Sequence, residues 1–218
     1  MVKRVDADRS ALIVSTQEHA SGTVIMTGTQ SWGSAGGGMD LTVPPAKIGL
    51  AKLNHAARAE VRLVGGAEYV RVDPASSGPF KGKSWLRYAG ATALGGDAAD
   101  TLDRTGTQSP VDFLRTPAAS DGVTRVGRET MLGKQTTHYR GTFTTDPTLR
   151  KRGVPATAGF DLYVGDDGLP VMLVRNFEGE FTTTEFQSFG GVHAVAVPPA
   201  AQTADTSASF GPTHPDSA

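Results

Sequence analysis

Residues Ala59 to Val72 read AEVRLVGGAEYVRV. Val61 and Leu63 alternate with Glu60 and Arg62, and after Gly65-Gly66 the residues Val70 and Val72 alternate with Tyr69 and Arg71. A period of two puts all four apolar side chains on one face of an extended ribbon. The two glycines supply the positive φ that a tight hairpin turn needs. This stretch therefore predicts an antiparallel hairpin with one face buried.

The same texture extends along most of the chain. GTVIMTGTQS (Gly22 to Ser31) is rich in threonine and branched residues, which suit a pleated surface. MDLTV puts Met39, Leu41 and Val43 on one face. KIGLAKL and KSWLRYA predict further strands. GVTRVGRETM passes through Leu132-Gly133 into KQTTHYRGTF, and GFDLYV turns at GDDGLP into VMLVRNF. GEFTTTEFQSF and GVHAVAV close the series.

Helical signals are few. Asp6 to His19 predicts one helix capped by Asp6 or Asp8. GGDAADTLDRTG and SPVDFLRTPAA predict two short ones, the second with Ser109 as N-cap and Pro110 at the first helical position. From Pro198 the chain is rich in Pro, Ala, Ser and Thr, which predicts a disordered tail over 198–218 after a single domain over 1–197. So few helices cannot supply parallel crossovers. The fold class expected is α+β: a curved antiparallel β-sheet, a half-open barrel, with a few helices covering its concave face. Long strands containing glycine twist and curl, which is why curvature is expected.

The 218 residues carry 21 basic and 22 acidic side chains, so no basic face advertises a nucleic-acid partner. The absence of cysteine excludes disulfides, a cysteine nucleophile and thiolate metal sites. The opening MVKRVDADRS leads into no apolar stretch of the kind a signal peptide needs. Either the protein is cytoplasmic or a leader has been removed.

TTHYRGTF, Thr136 to Phe143, is the most chemical-looking segment. In a strand, however, His138 and Arg140 face one side and Tyr139 and Phe143 the other, so His138 and Tyr139 cannot act on one substrate. His138 is expected on the wet side. His19, His55, His193 and His214 lack partners at metal-ligand spacing, so no metal is expected. Asp166-Asp167-Gly168 is expected to be a turn rather than a calcium loop. GSAGGG (Gly33 to Gly38) precedes a strand, so it lacks the helix start that a phosphate cradle uses. No G-x-S-x-G, S-x-x-K or H-E-x-x-H occurs, and no catalytic residue, no cofactor and no enzyme activity are expected.

Several of these stretches carry a resemblance. STQEHASGTVIMTGT, VRLVGGAEYVRV, KSWLRY, VGRETMLGKQTTHYRGT, FDLYVGDDGLPVMLVRNF, TTTEFQSFG and VAVPPA resemble the actinobacterial LppX/LprA/LprF/LprG lipoproteins of the LolA-like superfamily. The similarity runs from about Ala11 to Pro199. It implies a half-open barrel wrapped on helices with an apolar cavity between them. It also implies an extracytoplasmic lipid-binding protein tethered to the outer face of the cytoplasmic membrane by an N-terminal lipid anchor. The family anchors through a lipobox cysteine, which this chain lacks; its Met1-Val2-Lys3 start is what a cut just after that cysteine would leave.

On that resemblance the partner is a lipid or other acyl-chain ligand. The lining nominated is Val61, Leu63, Val70 and Val72 from the first hairpin, Tyr139 and Phe143, then Phe160, Leu162, Val164 and Leu173 from the later hairpin. Phe113 and Leu114 are expected to face them from the helical cover. Each is equally at home as ordinary core. Release would open the helix from Asp6 and the loops around Gly90 to Gly106. The alternative on the same fold is an envelope protein-binding or sensor module, using an outer patch at Met172 and Val174. A hydrolase with a convergent site is the third reading.

Overall fold

The computed structural model describes residues 1–19, 22–33, 37–89, 109–115, 122–145, 150, 155–191 and 194–206. Their dominant feature is one continuous sheet of twelve strands.

The first six strands are β1 (Ser10–His19), β2 (Gly22–Ser31), β3 (Gly38–Val43), β4 (Ala59–Val64), β5 (Ala67–Arg71) and β6 (Trp85–Ala89). They form an antiparallel meander. The next five are β7 (Thr124–Met131), β8 (Lys134–Thr144), β9 (Thr157–Gly165), β10 (Pro170–Phe177) and β11 (Glu180–Phe189), and they form a second meander. Antiparallel pairing of β1 with β11 fuses the two. The last strand, β12 (Thr203–Asp205), adds in parallel beside β6. The sheet is open and curved, with β12 and β7 at its edges. Bulges between Leu12/Ile13, Arg125/Gly127 and Pro170/Met172 bend individual strands.

The hairpins form as read. Gly65 and Gly66 both have positive φ, at 62° and 71°, between β4 and β5. Asp167 caps the β9–β10 turn by accepting the Leu169 N–H at 2.9 Å. Gly28 of β2 matters for packing, since a Cβ built there would lie 2.0 Å from the Asp40 carbonyl oxygen.

Five expectations are corrected. Asp6 to His19 is not one helix. The helix α1 (Val2–Asp8) stops where Arg9 turns left-handed at φ 56°, and Ser10–His19 is β1. The extended form wins because β1 is flanked by β2 on one side and β11 on the other, so both of its edges are hydrogen-bonded. KIGLAKL is not a strand: Pro45–Ile48 is a 3-10 segment, with a proline in its first turn and Gly49 left-handed at its end.

The part of GVHAVAV within the described residues, 194–197, joins no ladder. It runs over the outer face, where Arg62 donates to the Ala196 carbonyl at 3.1 Å. Nor does the chain leave the fold at Pro198. Ala200–Gln202 is a 3-10 turn, and β12 then buries Ala204 against Val72 and Leu86.

Of the two short helices expected in the middle, GGDAADTLDRTG lies outside the described residues. In the other, Asp112–Arg115 is a single 3-10 turn. Ser109 does not cap it by its hydroxyl. Instead its backbone N–H donates to the Asp112 carboxylate at 3.0 Å. The connection from β6 to β7 has to cross from one end of the sheet to the other. On the way, Val111 is fully buried in the main core and Leu114 packs against it.

Alternation assigns the sheet's inner face. The main core gathers Ile13, Met26, Leu41, Val61, Val70, Phe160, Leu162, Leu173 and Phe186 from it, along with Val5 of α1. Trp32 ties α1 down, its indole N–H donating to the Val5 carbonyl at 3.1 Å.

Candidate functional site

The inner face is the candidate site. Of the nominated residues, Val61, Leu63, Val70, Phe143, Phe160, Leu162 and Leu173 are buried in one cluster. Leu114, Tyr139 and Val164 are partly buried against it. Val72 belongs to a separate small cluster with Leu86 and Ala204. The Phe113 side chain lies outside what the structure describes.

Burial is uneven across this face. Val61, Leu63 and Val70 are sealed, whereas Tyr139, Val164 and Phe177 keep part of their surface. Phe143 meets the edge of Phe177 at a centroid distance of 6.0 Å and sits 6.4 Å from Phe160. The partly covered positions are spread along the face, with Val164 beside the β9–β10 turn and Phe177 at the opposite end of β10.

Glu68 and Arg175 put charged side chains on the inner face. Glu68 of β5 lies opposite Leu63 of β4 and Tyr88 of β6, and is 2% exposed. Burial raises the Tyr88 phenol above its ordinary range, and the Glu68 charge adds to that. Arg175 of β10 alternates with Leu173 and Phe177, facing Phe160 across β9 and Thr182 across β11. Its Nε is buried with no hydrogen-bond partner. Sequence reasoning singled out neither residue, although each shares parity with an inward neighbour: Glu68 with Val70, Arg175 with Leu173.

The outer face is polar and internally paired. His138 lies on it, as the register of β8 requires, but it is not on the wet side: it is 4% exposed. The reason is local. Tyr163 stacks on its ring at 4.4 Å, and Glu129 and Asp161 flank it. Further along, Arg62 and Arg71 lie over the Trp85 ring at 4.9 and 5.5 Å. A cleft of about 370 Å³ opens on this side, lined by residues including Asp40, Asn54, Arg58 and Asp73. It is not the apolar cavity expected between sheet and helices. Burial raises the Asp40 carboxyl above its ordinary range, and Arg62 works against that rise. Met172 and Val174 lie half-buried on the outer face, paired with Tyr163 and Asp161.

Among the described residues, no group of three or more His, Asp or Glu side chains is placed to hold a metal ion. No helix among them is long and apolar enough to cross a membrane.

An open curved sheet, bent around an apolar inner face, has the architecture of the LppX-type, LolA-like lipoproteins. The structure of LppX from Mycobacterium tuberculosis superposes with a TM-score of 0.50 at 12% identity, over 89% of this chain and 96% of that one. LprF from Mycobacterium bovis superposes with a TM-score of 0.48 at 13% identity, over 90% and 91%. In sequence, the chain is 33% identical over 153 residues to SCO4650 of Streptomyces coelicolor, a protein named as a lipoprotein. That match spans 67% of this chain and half the length of the relative. No protein-family model matches the chain. The resemblance read from the hairpin motifs is thus met by the fold and by this relative.

Proposed function

We propose that this chain is the lipid-binding domain of an extracytoplasmic lipoprotein, holding an acyl chain against the inner face of its sheet. The observation that carries the reading is an apolar inner face that is not fully sealed: Tyr139, Val164 and Phe177 among its members keep part of their surface. The fold shared with LppX and the relative named as a lipoprotein support it, as well as a location outside the cytoplasmic membrane.

The physical mechanism is burial. At about 0.8 kcal/mol per CH₂, a sixteen-carbon chain offers roughly 12 kcal/mol of transfer free energy, enough to exceed the cost of association. Binding of this kind needs no metal, cofactor or catalytic group, and we assign the domain no enzymatic step. The test is extraction of the purified protein into organic solvent followed by mass spectrometry. Recovery of a stoichiometric acyl lipid is the expected result. An empty extract, together with no binding of added palmitate, overturns the reading.

A second reading rests on the outer face. Ile25 is 48% exposed and Leu12 is 42% exposed there, with half-buried Met172 and Val174 on the same face two strands from Leu12 and three from Ile25. A protein partner on that patch would make the domain an envelope sensor. Loss of a captured partner in Met172→Asp, with lipid content unchanged, favours this reading over the carrier.

A further inference from the structure

Arg175 is the feature that an apolar carrier does not explain. It stands on the inner face of β10 between Leu173 and Phe177, both members of the main apolar cluster. Its neighbours by register are Phe160 on β9 and Thr182 on β11. Glu180, one inward position further along β11, lies at the exposed end of the hairpin.

The Arg175 Nε is sealed without a hydrogen-bond partner, while the side chain as a whole keeps part of its surface accessible. Desolvation pushes the guanidinium below arginine's ordinary range. A buried cation without a partner costs stability, and replacing such a group with an apolar one is often neutral or favourable. A guanidinium also offers five donors in a planar fork, matched in shape to a carboxylate or a phosphate. Here the fork lies next to Phe177, which keeps part of its surface.

Resting on the lipid-binding reading, we propose that Arg175 is a binding residue for the oxyanion of an amphipathic lipid, a carboxylate or phosphate head whose acyl chain lies against Phe177. The ligand is then an anionic lipid rather than a neutral wax or glyceride. Its head is turned into the fold, where a charge-assisted hydrogen bond is strong.

The probes are palmitate, methyl palmitate and inorganic phosphate, measured by calorimetry on the delipidated protein. Palmitate is expected to bind at least about tenfold more tightly than methyl palmitate, the size of one hydrogen bond to a charged group. Arg175→Leu is expected to erase that difference and leave methyl palmitate binding unchanged. Arg175→Lys is expected to keep part of it. Without ligand, Arg175→Leu is expected to melt no lower than the wild type, because it removes a buried donor without a partner among the described residues.

Equal affinity of the wild type for the two lipids overturns the anion site and leaves the lipid reading standing. Binding of neither lipid overturns both. Binding of phosphate with no binding of palmitate also overturns the proposal, since the anion would then be free in solution. A melting temperature several degrees lower in Arg175→Leu overturns it as well, by showing that the guanidinium serves the fold. If that variant does not fold, the wild-type comparison and Arg175→Lys decide.

Discussion

His138 Nε2 lies 2.5 Å from Asp161 Oδ1, and the same carboxylate oxygen accepts from Arg140 Nε at 2.7 Å. The other ring nitrogen, Nδ1, faces Glu129 Oε1 at 2.7 Å. One buried ring thereby joins β7, β8 and β9 on the outer face. Removing it takes one partner from each of two carboxylates, Asp161 keeping Arg140, and empties the space beneath Tyr163. His138→Ala is expected to destabilise the fold by about 2–3 kcal/mol. Urea unfolding followed by circular dichroism measures it, and a loss near zero would show the network to be ornamental.

Gly28 is needed for close approach rather than for a turn. Its absent Cβ would fall 2.0 Å from the Asp40 carbonyl oxygen and 2.8 Å from the Leu41 Cα, both backbone atoms that cannot swing aside. Gly28→Ala is expected to cost about 1–3 kcal/mol by overpacking and to loosen the β2–β3 pairing. Hydrogen exchange at the Thr27 and Thr42 amides, compared with those of β9, localises the effect.

The C-terminal strand covers an edge of the core. Ala204 is buried with Val72 and Leu86, and Lys83 and Ser84 bond the preceding turn through the Ala201 and Gln202 carbonyls. Ala204→Asp places a charge in that cluster and is expected to detach β12 at a cost of about 2–4 kcal/mol. Detachment reads out as faster proteolysis beyond Pro198, with the β1–β11 amides still protected.

The His55–Asp73 pair gives a small pH dependence. The Asp73 carboxyl is held below its ordinary value of 3.8, first by the His55 backbone N–H at 2.9 Å and then by the ring at 2.6 Å. A carboxyl depressed in the folded state adds stability above its unfolded value, and that stability is lost as pH falls through the folded one. The difference in stability between wild type and Asp73→Asn is therefore expected above 3.8 and gone well below it. The pair is exposed, so the effect is small. Chemical denaturation at two pH values on either side of that point checks it.

Strand periodicity and turn chemistry are local properties, and they were legible. Alternation in AEVRLVGGAEYVRV and the GDDG turn sufficed to place β4–β5 and β9–β10 and to sort their faces. The same parity put His138 and Tyr139 on opposite sides of β8. The apolar positions nominated for the site were mostly found together for that reason.

What the tertiary structure alone decided depends on partners distant in the chain. SALIVSTQEH is a strand because β2 and β11 bond both of its edges, a pairing across more than a hundred and fifty residues for β11. Thr203–Asp205 is a strand because β6 leaves an edge free, although its own composition resembles a tail. His138 is buried on the outer face because Tyr163, Glu129 and Asp161 converge on it from the neighbouring strands. Arg175 followed the alternation rule, but only the packing around it shows its Nε sealed with no hydrogen-bond partner among the described residues, because that depends on which groups from the neighbouring strands reach it.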